Sequence, residues 1–155
     1  MITTNIKEFE DKIYNFQKIT WENLNKVAKT ISFNLFSNII NDTPILTGRL
    51  VANWNFSVNN PNFTVTNYTP RDRMYKYPKY PEVWMRKLEG DMNQAPDLFG
   101  DDKTGVSVNT YYLSNGWEYI HKIEYLGYSK KAPNGMVRKN IQKIANMSFD
   151  RVRFN

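Results

Sequence analysis

Histidine occurs once, at position 121, so any histidine-based nucleophile–base pair would have to be built on His121, and no local nucleophile stands beside it. Asp97, Asp101 and Asp102 gather carboxylates in Asp97-Leu98-Phe99-Gly100-Asp101-Asp102-Lys103, a density that invites calcium. The run lacks the alternating oxygen ligands and terminal glutamate of an EF-hand loop. Thr47-Gly48-Arg49 has neither the glycine-rich cradle nor the Gly-Lys-Ser/Thr end of a phosphate loop. Tyr75-Lys76-Tyr77-Pro78-Lys79-Tyr80 interleaves bases and aromatics, as single-strand-binding platforms do, while its proline favours an extended loop whose tyrosines dock on a partner. The chain has no cysteine, which removes disulfides, thiol catalysis and thiolate zinc sites. No catalytic set, cofactor site or metal site is expected.

At 155 residues the chain suits a single domain over 1–155, long enough to bury one core. Its start, Met1-Ile2-Thr3-Thr4-Asn5, has no basic head or apolar run of a signal peptide. No stretch approaches the ~18 apolar residues of a membrane span. The expectation is a soluble protein made in a cytoplasm, with no membrane partner. The net charge of +6 is concentrated: from Leu126 onward, Lys130, Lys131, Arg138, Lys139, Lys143, Arg151 and Arg153 face Asp150 alone. A basic C-terminal segment can meet nucleic acid or an acidic protein surface, and charge does not choose between them. Aromatics make up 15% of the chain, and Tyr and Trp serve interfaces as well as cores.

Several elements must position these residues. Ile6, Phe9, Ile13, Phe16, Ile19, Leu24, Val27, Ile31, Leu35 and Ile39 recur near the helical period. Asn5 and Glu8 resemble a capping box at the start, and Asp42-Thr43-Pro44 ends the run. The stripe slips near Lys18–Trp21, where a kink fits. A helix this long has more apolar face than one small domain can cover, so part of it is expected to pack on neighbouring subunits.

Leu50, Ala52, Trp54, Phe56 and Val58 then alternate with polar positions as a half-buried strand. Asn59–Asn62 is a turn cluster, and Phe63–Thr66 a returning strand that completes a hairpin. From about 68 to 104 the pattern is irregular, with one short helical stretch near Pro81–Glu89, and reads as a long loop excursion from the core. Val106–Thr110 and Tyr111–Leu113 are strand-like, Trp117–Ile123 is a short helix, and Val137–Met147 closes the chain as a helix. The fold class is α+β: a long N-terminal helix packed on a small antiparallel sheet, with a short helix and a C-terminal helix.

Two motifs, about eighty residues apart, stand out from this frame. The first is Thr43-Pro44-Ile45-Leu46-Thr47-Gly48-Arg49-Leu50-Val51-Ala52-Asn53-Trp54. The second is Ile123-Glu124-Tyr125-Leu126-Gly127-Tyr128-Ser129-Lys130-Lys131-Ala132-Pro133-Asn134-Gly135-Met136-Val137-Arg138. Neither is catalytic in type. Gly48 suits a sharp turn out of the long helix, and Gly127 and Gly135 do the same around Pro133. Charged groups inside compact turns take partners, so Glu124 is expected to pair with Arg49 or Arg138, within a subunit or across an interface.

Together the motifs resemble the head–tail joining and tail-completion (neck) proteins of tailed bacteriophages, of the minor tail protein Z type. Their pattern runs T-P-x-x-T-G-R-L-x-x-x-W and later E-Y-G-x-S-x-x-A-P-x-G-M-V-R. One extra residue, Leu126, stands between Tyr125 and Gly127 here. The resemblance implies a non-enzymatic virion component of the neck. It implies a homo-oligomeric ring, hexameric or dodecameric, that contacts portal-side connector and tail proteins around a DNA channel. On that reading the interface and motif residues are Gly48, Arg49, Trp54, Tyr75, Tyr77, Tyr80, Trp84, Glu124, Gly127, Pro133, Gly135 and Arg138, with the 68–104 excursion as the docking loop. The alternative is a nucleic-acid-binding module using the basic C-terminal segment.

Overall fold

The computed structural model describes residues 3–66, 80–102 and 105–146. Helix α1 spans Thr3–Asp42 without a break. Asn5 therefore lies inside the helix rather than capping it, and Lys18–Trp21 continues it, with the Thr20 hydroxyl donating back to the Phe16 carbonyl at 2.8 Å. The helix stops where Thr43 donates its hydroxyl to the Ile39 carbonyl at 2.7 Å and Pro44 removes the next amide.

The stretch after Pro44 departs from a simple strand. Arg49–Ala52 forms a single helical turn, α2, and β1 begins only at Trp54, running to Val58. The reason is burial on all sides: Leu50, Val51, Ala52, Asn53 and Trp54 are all buried in succession, so no period-two face exists there. The partner of β1 is not Phe63–Thr66 but β4, Tyr111–Asn115, antiparallel from Trp54 opposite Asn115 to Val58 opposite Tyr111. Asn59 (φ 64°) extends this ladder, donating its main-chain N–H to the Thr110 carbonyl and accepting the Thr110 N–H on its side chain. Residues 63–66 run beside β1, held by asparagine side chains: Asn53 Oδ1 accepts the Thr66 N–H at 2.6 Å, and Asn55 Nδ2 donates to the Thr64 carbonyl at 2.9 Å.

The expected excursion is largely structured. Helix α3, Tyr80–Gln94, packs on α1 and sends Leu88 and Met92 into the core, with Trp84 and Met85 packed against it. Its sequence concealed this because Gly90 and the charged Glu89 and Asp91 interrupt the apolar stripe. Beyond α3, Phe99–Asp102 (β2) and Gly105–Val108 (β3) pair as a hairpin. Asn25, buried midway along α1, clamps that hairpin by donating to the Phe99 carbonyl and accepting its N–H at 2.6 and 2.8 Å. Segment 80–102 is thus part of the body of the fold, not a loop apart from it. Tyr75 and Tyr77 lie outside the described residues, as does the Tyr80 side chain.

Helix α4 spans Ile120–Leu126, three residues later than the periodicity suggests, because Trp117 to Tyr119 form the turn into it. Helix α5 spans Val137–Ala145. The protein is α+β, with a long N-terminal helix, two separate two-stranded antiparallel ribbons and shorter helices. The core lies at the C-terminal end of α1, where Phe36, Ile39 and Ile40 meet Val51, Trp54, Leu88, Ile123 and Met136. No described helix is long and apolar enough to cross a membrane.

The opposite end of α1 is bare. Every residue from 6 to 20 is exposed, among them Phe9 at 62% and Phe16 at 72%. At 1.5 Å per residue, this is an overhang of roughly 22 Å.

Candidate functional site

Both sequence motifs come together at the C-terminal end of α1. In the first, Trp54 donates its indole N–H to the Thr43 hydroxyl at 2.9 Å, and that same hydroxyl donates to Ile39. Thr43 is fully buried, so the relay satisfies an indole that would otherwise lose its hydrogen bond on burial. Gly48 has φ 76°, the left-handed region open to glycine, and its carbonyl accepts the Ala52 N–H at 3.0 Å to start α2. Asn53, also fully buried, ties the turn to its neighbours through the Arg49 carbonyl and the Thr66 amide. Arg49 pairs with no carboxylate among the described residues; its guanidinium lies 5.8 Å from the centre of the Trp117 ring.

The second motif is a helix–loop–helix lock organised by one carboxylate. Glu124, on α4, accepts the main-chain N–H groups of Met136, Val137 and Arg138 at 2.7, 3.0 and 2.8 Å. These are orphan donors at the start of α5, so Glu124 caps that helix from a different helix. Arg138 completes the arrangement, with Nε 3.4 Å from Glu124 Oε1 and a second guanidinium nitrogen donating to the Glu124 main-chain carbonyl. Of the two arginines weighed as partners, the structure selects Arg138, within one subunit. Burial would raise the Glu124 pKa, but the three amides and the guanidinium outweigh it and hold the group below its ordinary value. Gly127 (φ 61°) ends α4, and a Cβ there would sit 3.1 Å from the Pro133 carbonyl oxygen. Gly135 (φ 80°) is tighter, since a Cβ would lie 2.6 Å from Glu124 Oε1.

Three contacts fasten the two motifs and their flanks together; the sequence placed Lys131 and Lys139 only in a basic segment and did not single out Asn140. Lys131 donates from Nζ to the Thr43 carbonyl at 2.9 Å. Asn140, almost wholly buried on α5, donates to Asp42 Oδ2 and to the Met136 carbonyl, both at 2.8 Å. Lys139 pairs with the same Asp42 oxygen at 2.9 Å. Asp42 is pushed up by burial but held below its usual pKa by these two donors. A polar residue on the closing helix gave no sign of facing inward.

Between the motifs lies an open groove of about 780 Å³. Ile45, Leu46, Ile123 and Tyr128 supply apolar surface, and Arg49, Lys122, Lys130 and Lys131 supply cations. Among the described residues no carboxylate or histidine lines it. Leu46 is 88% exposed and Tyr128 79%, unusual for two large apolar groups that line one concavity.

The remaining chemistry seen in the sequence disperses. His121 is exposed on α4, its Nδ1 3.2 Å from the Glu118 carbonyl oxygen. Asp97 pairs with Lys29 at 2.7 Å, the side chains of Asp101 and Asp102 lie outside the described residues, and no group of three or more metal-ligating side chains exists among the described residues. In the basic C-terminal segment, Arg138 and Lys139 are committed to ion pairs and Lys131 to a main-chain carbonyl, while Arg151 and Arg153 lie outside the described residues. Compared with protein-family models, with curated proteins and with solved structures, the chain matches none.

Proposed function

We propose that this chain is a structural subunit of the neck of a tailed-phage virion, a connector or tail-completion ring that joins head to tail around the DNA channel. The observation that carries the reading is the overhang of α1. A helix of this length with all its apolar side chains in water is marginal by itself, because helices in proteins draw their stability from packing one face. Ile6, Phe9, Ile13 and Phe16 form one stripe that no described residue of the chain covers, and a neighbouring subunit would cover it. The resemblance of the two motifs to neck proteins supplies the identity of the assembly, and the locks they form make each subunit rigid enough to be a ring element.

The nucleic-acid alternative draws on the basic C-terminal segment, and the pairing of Arg138 and Lys139 within the fold leaves that segment fewer cations to offer phosphates. Deleting the reading frame from the phage that encodes it tests the proposal. The expected result is DNA-filled heads and separate, unjoined tails in electron micrographs. Normal particles, or heads that never fill, would contradict it.

A further inference from the structure

We propose that Asn134 is a site of spontaneous deamidation, held off while the Glu124 lock is closed, and that isoaspartate formed there keeps the lock from closing again. Asn-Gly steps are prone to this reaction because a glycine has no β-carbon to shield its amide nitrogen. The chain has two of them, Asn115-Gly116 and Asn134-Gly135, and their surroundings are opposite in kind.

Asn115 is buried at the end of β4, opposite Trp54. Its side chain donates from Nδ2 to the Leu50 carbonyl at 2.8 Å and accepts the Trp117 main-chain N–H on Oδ1 at 3.0 Å. The amide is held at both ends and cannot swing onto the Gly116 nitrogen without giving up both bonds. Asn134 is exposed, and no hydrogen bond to its side chain occurs among the described residues. Its restraint is in the main chain. Gly135 donates its N–H to the Ala132 carbonyl at 3.1 Å, closing a turn with Pro133 at its second position. Asn134 is not in the positive-φ region, so the turn is type I, whose third residue holds ψ at about 0°. At that angle the Gly135 nitrogen points away from the Asn134 side chain, and ring closure waits for the turn to open.

Opening the turn means opening the lock, because Gly135 sits against Glu124: a Cβ on it would lie 2.6 Å from both the Glu124 carbonyl oxygen and Oε1. In the open segment the Gly135 nitrogen attacks Asn134 Cγ. A C–N bond forms, the Cγ–Nδ2 bond breaks, and ammonia leaves with the Gly135 amide proton. Water then opens the succinimide ring. Its addition at Cγ returns the original main chain with an aspartate. Its addition at the main-chain carbonyl carbon routes the chain through the side chain as isoaspartate, one methylene longer. Aspartate leaves the geometry as it was, just ahead of the positive end of α5. Isoaspartate does not fit. The added methylene displaces Gly135 where Glu124 leaves no room, and it shifts the Met136, Val137 and Arg138 N–H groups off the carboxylate that caps them.

Incubating the folded full chain at neutral pH, with peptide mass mapping and enzymatic methylation of isoaspartyl groups as readouts, tests the proposal. In the native protein Asn134 should deamidate at least about tenfold faster than Asn115. In urea the two should react at similar rates, since only the fold distinguishes them. Glu124→Gln loosens the lock and should speed the native reaction at Asn134 by about tenfold or more. Arg138→Gln, a milder change, should act in the same direction. The separated isoaspartyl protein should melt below the Asn134→Asp variant, which carries the new charge on an unaltered main chain. Equal native rates at Asn134 and Asn115 would overturn the proposal. So would a native Asn134 rate that neither lock variant raises, or an isoaspartyl form that melts like Asn134→Asp.

Discussion

The Glu124 carboxylate accepts the Met136 main-chain N–H at 2.7 Å, across twelve positions of chain, and so fixes the start of α5 to the middle of α4. Its folded pKa is lowered despite burial, which sets the sign of a pH effect. A depressed carboxylate contributes stability that is complete above its unfolded value, ~4.3, and that is lost as pH falls through the folded value. Glu124→Gln should cost about 3 kcal/mol at neutral pH. The gap to wild type should narrow below pH ~4. Urea titrations at several pH values read this directly; a gap independent of pH would mean that the charge contributes nothing. Asp42 is depressed in the same sense, so some acid sensitivity should persist in the variant.

The Thr43 hydroxyl serves Trp54 and Ile39 at once. Thr43→Val keeps the shape and strands a buried indole N–H, so it should destabilise by about 1–3 kcal/mol. Thr43→Ser should restore most of that loss. Equal melting temperatures for the two variants would show that the hydroxyl relay is unimportant.

Gly135 and Gly127 are both left-handed but unequally crowded. Gly127→Ala should cost about 1–2 kcal/mol, the ordinary penalty of that backbone region. Gly135→Ala should cost clearly more, because its Cβ would overlap the Glu124 carboxylate and carbonyl. Reversal of that order in thermal melts would argue against the lock as described.

Leu88, on α3, is 3% exposed and packs in the main core. Leu88→Ala should lose about 2–5 kcal/mol, as for a core leucine. If the segment were instead a loop independent of the body, the substitution would leave the denaturation midpoint unmoved.

Much of this architecture was legible in the sequence. The α1 periodicity, the proline stop and the glycine turns follow from local rules that a residue's own neighbours enforce, whereas for Glu124 the sequence offered Arg49 or Arg138 and only the fold chose Arg138. What escaped reading depends on tertiary cover. Residues 50–54 are enclosed on every side, so their alternation carried no information and α2 replaced the start of a strand. The partner of β1 was hidden because its main-chain ladder runs to β4, with Asn59 bonding Thr110 fifty-one positions on, while residues 63–66 reach β1 only through asparagine side chains. Segment 80–94 looked irregular because a helix packed on only one side tolerates glycine and charge along the rest of its surface. The groove was unreadable in the same way, since its two walls come from motifs that meet only once Lys131, Lys139 and Asn140 grip the end of α1.

The central claim is that the bare end of α1 is an assembly surface. Native mass spectrometry of the purified full chain tests it most directly. The account predicts a discrete species at an integral multiple of the 18.3 kDa chain mass, replaced by monomer when Phe9 and Phe16 are changed to glutamine. A wild-type protein that remains at 18.3 kDa across the accessible concentration range, indistinguishable from that variant, would contradict it.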